Sequence, residues 1–99
     1  MRLDQRRAGF PGNAFVQVTL DQQGRQALDR FEEAVRKVPE VLACYLLAGQ
    51  ADYMLHLVYR DAPDLERLHT EILTQLPGVV RLQSTMALRT VKRTTELPV

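Results

Sequence analysis

Over residues 14–20 (AFVQVTL) the chain alternates: Val16, Val18 and Leu20 stand against Gln17 and Thr19, the period of two expected of a strand with one face in a core. Gly12-Asn13 punctuates its start. The period then changes to that of a helix. Leu28, Phe31, Val35 and Val38 recur at spacings of three and four, predicting a helix over 24–38 with Asp21 as its cap. Glu32 and Glu33 face Arg36 and Lys37 on its solvated side, and Pro39 stops it because proline cannot continue the hydrogen-bond ladder.

Residues 41–48 (VLACYLLA) form a short, almost unbroken apolar run, which predicts a strand buried on both faces. Gly49-Gln50-Ala51-Asp52 is a turn, and 53–59 (YMLHLVY) is the next strand, with Tyr53, Leu55, Leu57 and Tyr59 on one face and Met54, His56 and Val58 on the other. So short a connection implies an antiparallel hairpin. Asp61 and Pro63 then open a second helix whose inward stripe is Leu65, Leu68, Ile72 and Leu76, ended by Pro77-Gly78. Residues 79–91 predict a last strand, with Val80, Leu82, Met86 and Leu88 alternating against Arg81, Gln83, Thr85 and Arg89.

The order β-α-β-β-α-β, with right-handed crossovers, folds into an α+β ferredoxin-like sandwich: a four-stranded antiparallel sheet with both helices on one face. The other face is then left without a layer, although Phe15, Tyr45, Met54 and Val58 point to it. Such a face predicts a homodimer, sheet against sheet.

A length of 99 residues allows one domain, placed at 14–92, with an N-terminal arm at 1–13 and a C-terminal tail at 93–99 expected to be loosely held. The only cysteine, Cys44, excludes an internal disulfide and fits a reducing, cytoplasmic setting. No apolar run reaches the roughly 20 residues of a membrane span. Thirteen basic against 12 acidic residues leave a net charge of +1, too little for a surface built around nucleic-acid phosphates. Two short basic stretches, 1–7 and that of Arg89, Lys92 and Arg93, read as solvated ends.

Candidate chemistry is sparse. His56 and His69 are the available neutral-pH bases; His56 alternates with apolar residues in mid-strand, which suits an interface, and His69 on the second helix suits the surface. No spacing of His, Cys or Glu forms a metal motif, the five scattered glycines form no phosphate loop, and no cofactor is implied. Cys44 reads as a small apolar residue. No helix-turn-helix is present, since a hairpin separates the two helices. The turn through Gly49, Asp52 and Tyr53 has a plain structural reading: glycine for a positive φ, Asp52 bonding the turn backbone and Tyr53 opening a strand. A functional reading stands beside it, in which turn N–H groups hold a carboxylate and Asp52 pairs with an α-ammonium group.

AFVQVTL at 14–20, VPEVLACYLLAGQADYMLHL at 38–57 with its G-x-x-D-Y turn, and LPGVVRLQSTMALRTVK at 76–92, in this order and spacing, resemble the effector-binding and assembly (RAM) domain of the Lrp/AsnC, or feast/famine, transcriptional regulators. The resemblance implies a non-enzymatic sensor that binds an amino acid near the turn at 49–52, between the second and third strands, dimerises through its sheet and associates into tetramers or octamers. Carried over by position, Gly49, Asp52 and Tyr53 form the turn side of the effector site, Ser84 and Thr85 line it, and Leu46 and Met54 are weaker additions. A threonine usual in the family is replaced here by Ser84. The resemblance also implies that DNA is bound only through a helix-turn-helix domain that precedes this region in full-length relatives, and that 1–13 is the end of a linker. Two rivals share the topology: a small dimeric α+β-barrel enzyme of the monooxygenase or isomerase kind, with His56 or His69 as base, and an ACT-type regulatory domain.

Overall fold

The computed structural model describes residues 4–98. The elements are β1 (Gly12–Leu20), α1 (Arg25–Val35), β2 (Val41–Leu46), β3 (Tyr53–Tyr59), α2 (Ala62–Arg67) and β4 (Val79–Ala87). A π-helical turn (Leu68–Ile72) and a 3₁₀ turn (Leu73–Gln75) extend α2. The strands form one antiparallel sheet in the order β2-β3-β1-β4. Residues 1–3 of the expected arm, including basic Arg2, and Val99 of the tail lie outside the described residues.

Alternation decides the layers. Ala14, Val16, Val18 and Leu20 of β1 and Tyr53, Leu55 and Leu57 of β3 are buried with Phe31 and Val35 of α1 and with Leu68, Leu73 and Leu76. Both helices therefore cover one face, as the periodicity predicts. The buried core runs along the two central strands, and Phe31 packs on Tyr53 with ring centroids 4.5 Å apart.

Several expectations need correction. The helix predicted over 24–38 is regular only from Arg25 to Val35, and its N-cap is Gly24, without a side-chain cap; Asp21 instead donates its backbone N–H to the Gly78 carbonyl at 2.8 Å. The strand expected to be buried on both faces is an edge strand, ending at Leu46, with Leu42, Tyr45 and Leu46 exposed. An apolar run cannot distinguish a central position from an edge whose cover is supplied from outside. The last strand ends at Ala87 and not at 91. A register shift at Thr19/Leu20 interrupts its pairing with β1, and Val80, Met86 and Leu88 are exposed.

The second helix starts as predicted, with Asp61 Oδ1 accepting the Asp64 N–H at 2.8 Å and proline in the first turn. It then departs from α geometry. Leu68 and Leu73 are each 1% exposed although five residues separate them, a spacing that an α-helix would place about 140° apart. The π turn closes that angle. Thr70 and Thr74 hydroxyls donate back to the Glu66 and Thr70 carbonyls at 2.8 and 2.7 Å, the kind of local bond that competes with the regular ladder.

Candidate functional site

Ladder pairing between β1 and β3 ends at Val18–Tyr53, leaving the next inward-directed N–H of β1, that of Leu20, without a strand partner. Asp52 supplies one. Its Oδ2 accepts the Leu20 N–H at 2.7 Å and the Gln23 Nε2 at 3.2 Å, while its backbone N–H donates to Val18 O and its carbonyl accepts from Leu47, both at 2.9 Å. The turn is thus tied to β1 by one side chain. Asp52 Oδ1 has no protein donor among the described residues.

Gly49 does not take the positive φ expected of it; Gly9 and Gly78 alone do so among the described residues. A Cβ at Gly49 would meet no atom within 4 Å, and Gly49 and Gln50 are exposed. Room above the turn, and not backbone strain, is what this glycine provides. Tyr53 lies in the core, 1% exposed, and its hydroxyl donates to Glu32 Oε2 of α1. Burial first, then the Glu32 carboxylate, push its pKa up, so it stays a neutral donor. Its position makes it a support of the turn. The same side of the sheet holds Cys44, whose thiol is raised by burial and by the Glu32 charge and so is a weak nucleophile.

Ser84 and Thr85 do not join this cluster within one chain. Ser84 pairs with Val16 on the helix-covered side and Thr85 with Phe15 on the uncovered side. The β4 partner in the Tyr53–Val18 row is Leu82, so both residues sit beyond it along β4, with β1 between them and β3. Leu46 pairs with Tyr53, and Met54 with Tyr45 on the uncovered face.

The uncovered face has its own order. The His56 ring stacks on Phe15 at 4.7 Å and 11°, and its Nε2 lies 2.9 Å from Asn13 Oδ1. Burial, then the nearby Arg93 charge, lower the His56 pKa and favour the neutral ring. Sequence reasoning missed this contact because it joins residues that are neighbours only once β1 and β3 pair. His69 borders a shallow hollow of about 200 Å³ with Thr74 and Val79 to Leu82. Among the described residues no three metal-ligating side chains converge. No helix is long and apolar enough to cross a membrane among the same residues.

At the sheet end opposite the Asp52 turn, an open groove of about 1200 Å³ lies between the N-terminal arm and the segment after β4. Phe10, Leu42 and Val58 give it apolar walls; Arg6, Arg60, Arg89 and Arg93 also line it.

A two-helix, four-stranded α+β sandwich with a braced β2–β3 turn is the class that these observations define, and comparison with known proteins agrees. The model of the Lrp/AsnC ligand-binding domain matches residues 13–97. An HTH-type transcriptional regulator of Sinorhizobium fredii is 46% identical over 77% of this chain and 60% of its own length. The Bkd operon transcriptional regulator of Pseudomonas aeruginosa is 39% identical over 91% of this chain and 59% of its own. A transcriptional regulator of Neisseria meningitidis, solved in complex with L-methionine, superposes with a TM-score of 0.90 at 32% identity, covering 99% of this chain and 63% of that one. The chain belongs to the Lrp/AsnC family and comprises its ligand-binding domain. It spans about 60% of the length of these curated relatives.

Proposed function

We propose that this chain is the amino-acid-sensing and assembly part of a transcriptional regulator and not an enzyme, with its effector held at the β2–β3 turn where two subunits meet. The observation that carries the reading is the turn itself. Asp52 braces the backbone from below, with one carboxylate oxygen committed to Leu20, while Gly49 leaves open space above. A rigid turn with free N–H groups and a free carboxylate oxygen offers complementary partners for the carboxylate and ammonium of an amino acid. Two structural neighbours, that of Neisseria meningitidis and a feast or famine regulatory protein of Mycobacterium tuberculosis, were solved with L-methionine, which makes this the natural first ligand to try.

One subunit supplies Gly49, Asp52 and Tyr53; Ser84 and Thr85 lie too far along β4 to complete the same pocket and would serve it from a neighbouring subunit. A pocket shared across a border gives the ligand different affinities for different assemblies, which is the condition for it to shift them. DNA contact belongs in this reading to a helix-turn-helix domain outside the described fold.

The test is sedimentation velocity of the purified chain with each of the 20 amino acids, repeated on Gly49→Leu. A Cβ introduced at 49 meets no atom of the same subunit within 4 Å. The expected result is a shift in assembly with one or a few amino acids, abolished in Gly49→Leu while thermal stability is unchanged. Indifference of the wild-type chain to all of them refutes the sensor reading.

A further inference from the structure

Asp52 is not held by the backbone alone. Gln23, in the connection between β1 and α1, donates from Nε2 to Asp52 Oδ2 at 3.2 Å and to the Leu20 carbonyl at 2.8 Å, which engages both hydrogens of its amide. Leu20 closes the ring, because its own N–H donates to the same Oδ2 at 2.7 Å. The base of this ring is firm. Leu20 is 2% exposed and pairs with Val79 across the sheet, and the next residue, Asp21, donates its N–H to the Gly78 carbonyl at 2.8 Å. The Asp52 backbone is equally fixed, by Val18 on one side and Leu47 on the other, and Tyr53 after it is tied to Glu32 of α1. What remains is rotation of the carboxylate about its last bond, a broad torsion that one donor on one oxygen does not stop. A second donor from a different residue does stop it, since turning the carboxylate then weakens two hydrogen bonds at once.

We propose that Gln23 is a positioning residue of the effector site: it sets the plane of the Asp52 carboxylate so that Oδ1 meets the α-ammonium group of an amino acid. Resting on the sensor reading above, this role adds to it the residue that decides between an amino acid and the α-hydroxy acid of the same side chain. Gln23 acts through Asp52 without contacting the ligand. An ammonium donor on a carboxylate makes a charge-assisted bond roughly twice as strong as that of a neutral hydroxyl, so an aligned Asp52 favours the amino acid. A carboxylate released to rotate must be ordered by the ligand itself, and the preference shrinks. Both ligands carry the same carboxylate and side chain, so the rest of the site sees no difference between them.

L-Methionine and the α-hydroxy acid with its side chain are the probes, titrated calorimetrically into the intact chain and two variants. Where the panel of amino acids selects another, that amino acid and its own α-hydroxy acid take their place. Gln23→Met keeps the length of the side chain and removes both donors at an exposed position, so the fold should tolerate it. Gln22→Met, the same change at the exposed neighbouring residue, is the control. Wild type and Gln22→Met should prefer the amino acid, and all three proteins should share one thermal midpoint. Gln23→Met should lose about tenfold in affinity for the amino acid and less than about twofold for the hydroxy acid. Equal loss for both ligands overturns the proposal, because a plain brace of the fold would act on both; so does no loss, or the same loss in Gln22→Met. A wild-type chain that binds both ligands equally overturns it too and leaves the sensor reading standing. Binding of no amino acid by wild type defeats that reading and the role of Gln23 together.

Discussion

Replacing Asp52 by alanine removes the acceptor that the Leu20 N–H meets at 2.7 Å, and nothing in the β1–β3 ladder can take its place. A part-buried donor left unpaired costs about 1 to 3 kcal/mol, so Asp52→Ala should lower the unfolding free energy by that amount, read as a lower urea midpoint with an unchanged slope. Gly49→Leu, on an exposed turn with open space, should stay within about 0.5 kcal/mol of wild type. Loss of ligand response in the aspartate variant alone would therefore conflate folding with binding, and the glycine variant separates them. His56 carries a pH prediction. Its folded pKa lies below the ordinary 6.5, so the unfolded chain binds the proton more tightly. The stability contributed by the neutral ring is complete above pH 6.5 and is lost as pH falls from there through the folded value. Urea titrations between pH 7.5 and 5 should show this decline, and His56→Gln should flatten it.

Between Asp61 and Ile72 the second helix changes geometry, and its start and its middle depend on different forces. Its start is local chemistry: Asp61 caps Asp64, and Asp64 Oδ2 in turn accepts the Arg60 N–H at 2.9 Å, a reciprocal pair. Asp61→Ala should cost about 1 kcal/mol, read as a lower thermal midpoint. Such a cap is legible in sequence because donor and acceptor are three residues apart. The π turn is not. Leu65, Leu68, Ile72 and Leu76 satisfy an α stripe, and only the demand that Leu68 and Leu73 enter one core selects the wider turn. The edge position of β2 was hidden in the same way, since VLACYLLA is as apolar as a central strand. Element order, hairpin and inward faces of β1 and β3 were readable because each rests on a period within the element itself. The turn through Gly49, Asp52 and Tyr53 was readable as a local feature, but the bond from Asp52 to Leu20 spans 32 residues and the separation of Ser84 from Thr85 follows from opposite faces of one strand.

The uncovered sheet face is where the single chain is physically incomplete. Four strands about 4.8 Å apart and strands of about 25 Å give it roughly 500 Å² in projection, and side-chain relief raises this toward the about 800 Å² per partner of a stable interface. Tyr45 is 59% exposed there, beside Met54 and in the same layer as Phe15 and His56. A two-fold pairing through this face would bury each changed side chain twice, so one glutamate at 45 places two carboxylates in the desolvated contact. Tyr45→Glu should weaken the dimer by at least 100-fold in sedimentation equilibrium. Because Tyr45 takes no part in the buried core, the unfolding free energy of the monomer should change by less than about 0.5 kcal/mol. An unchanged dimer in Tyr45→Glu would move the contact to the β4 edge, where Val80 and Met86 are also exposed, and Met86→Glu would then be the variant that dissociates it.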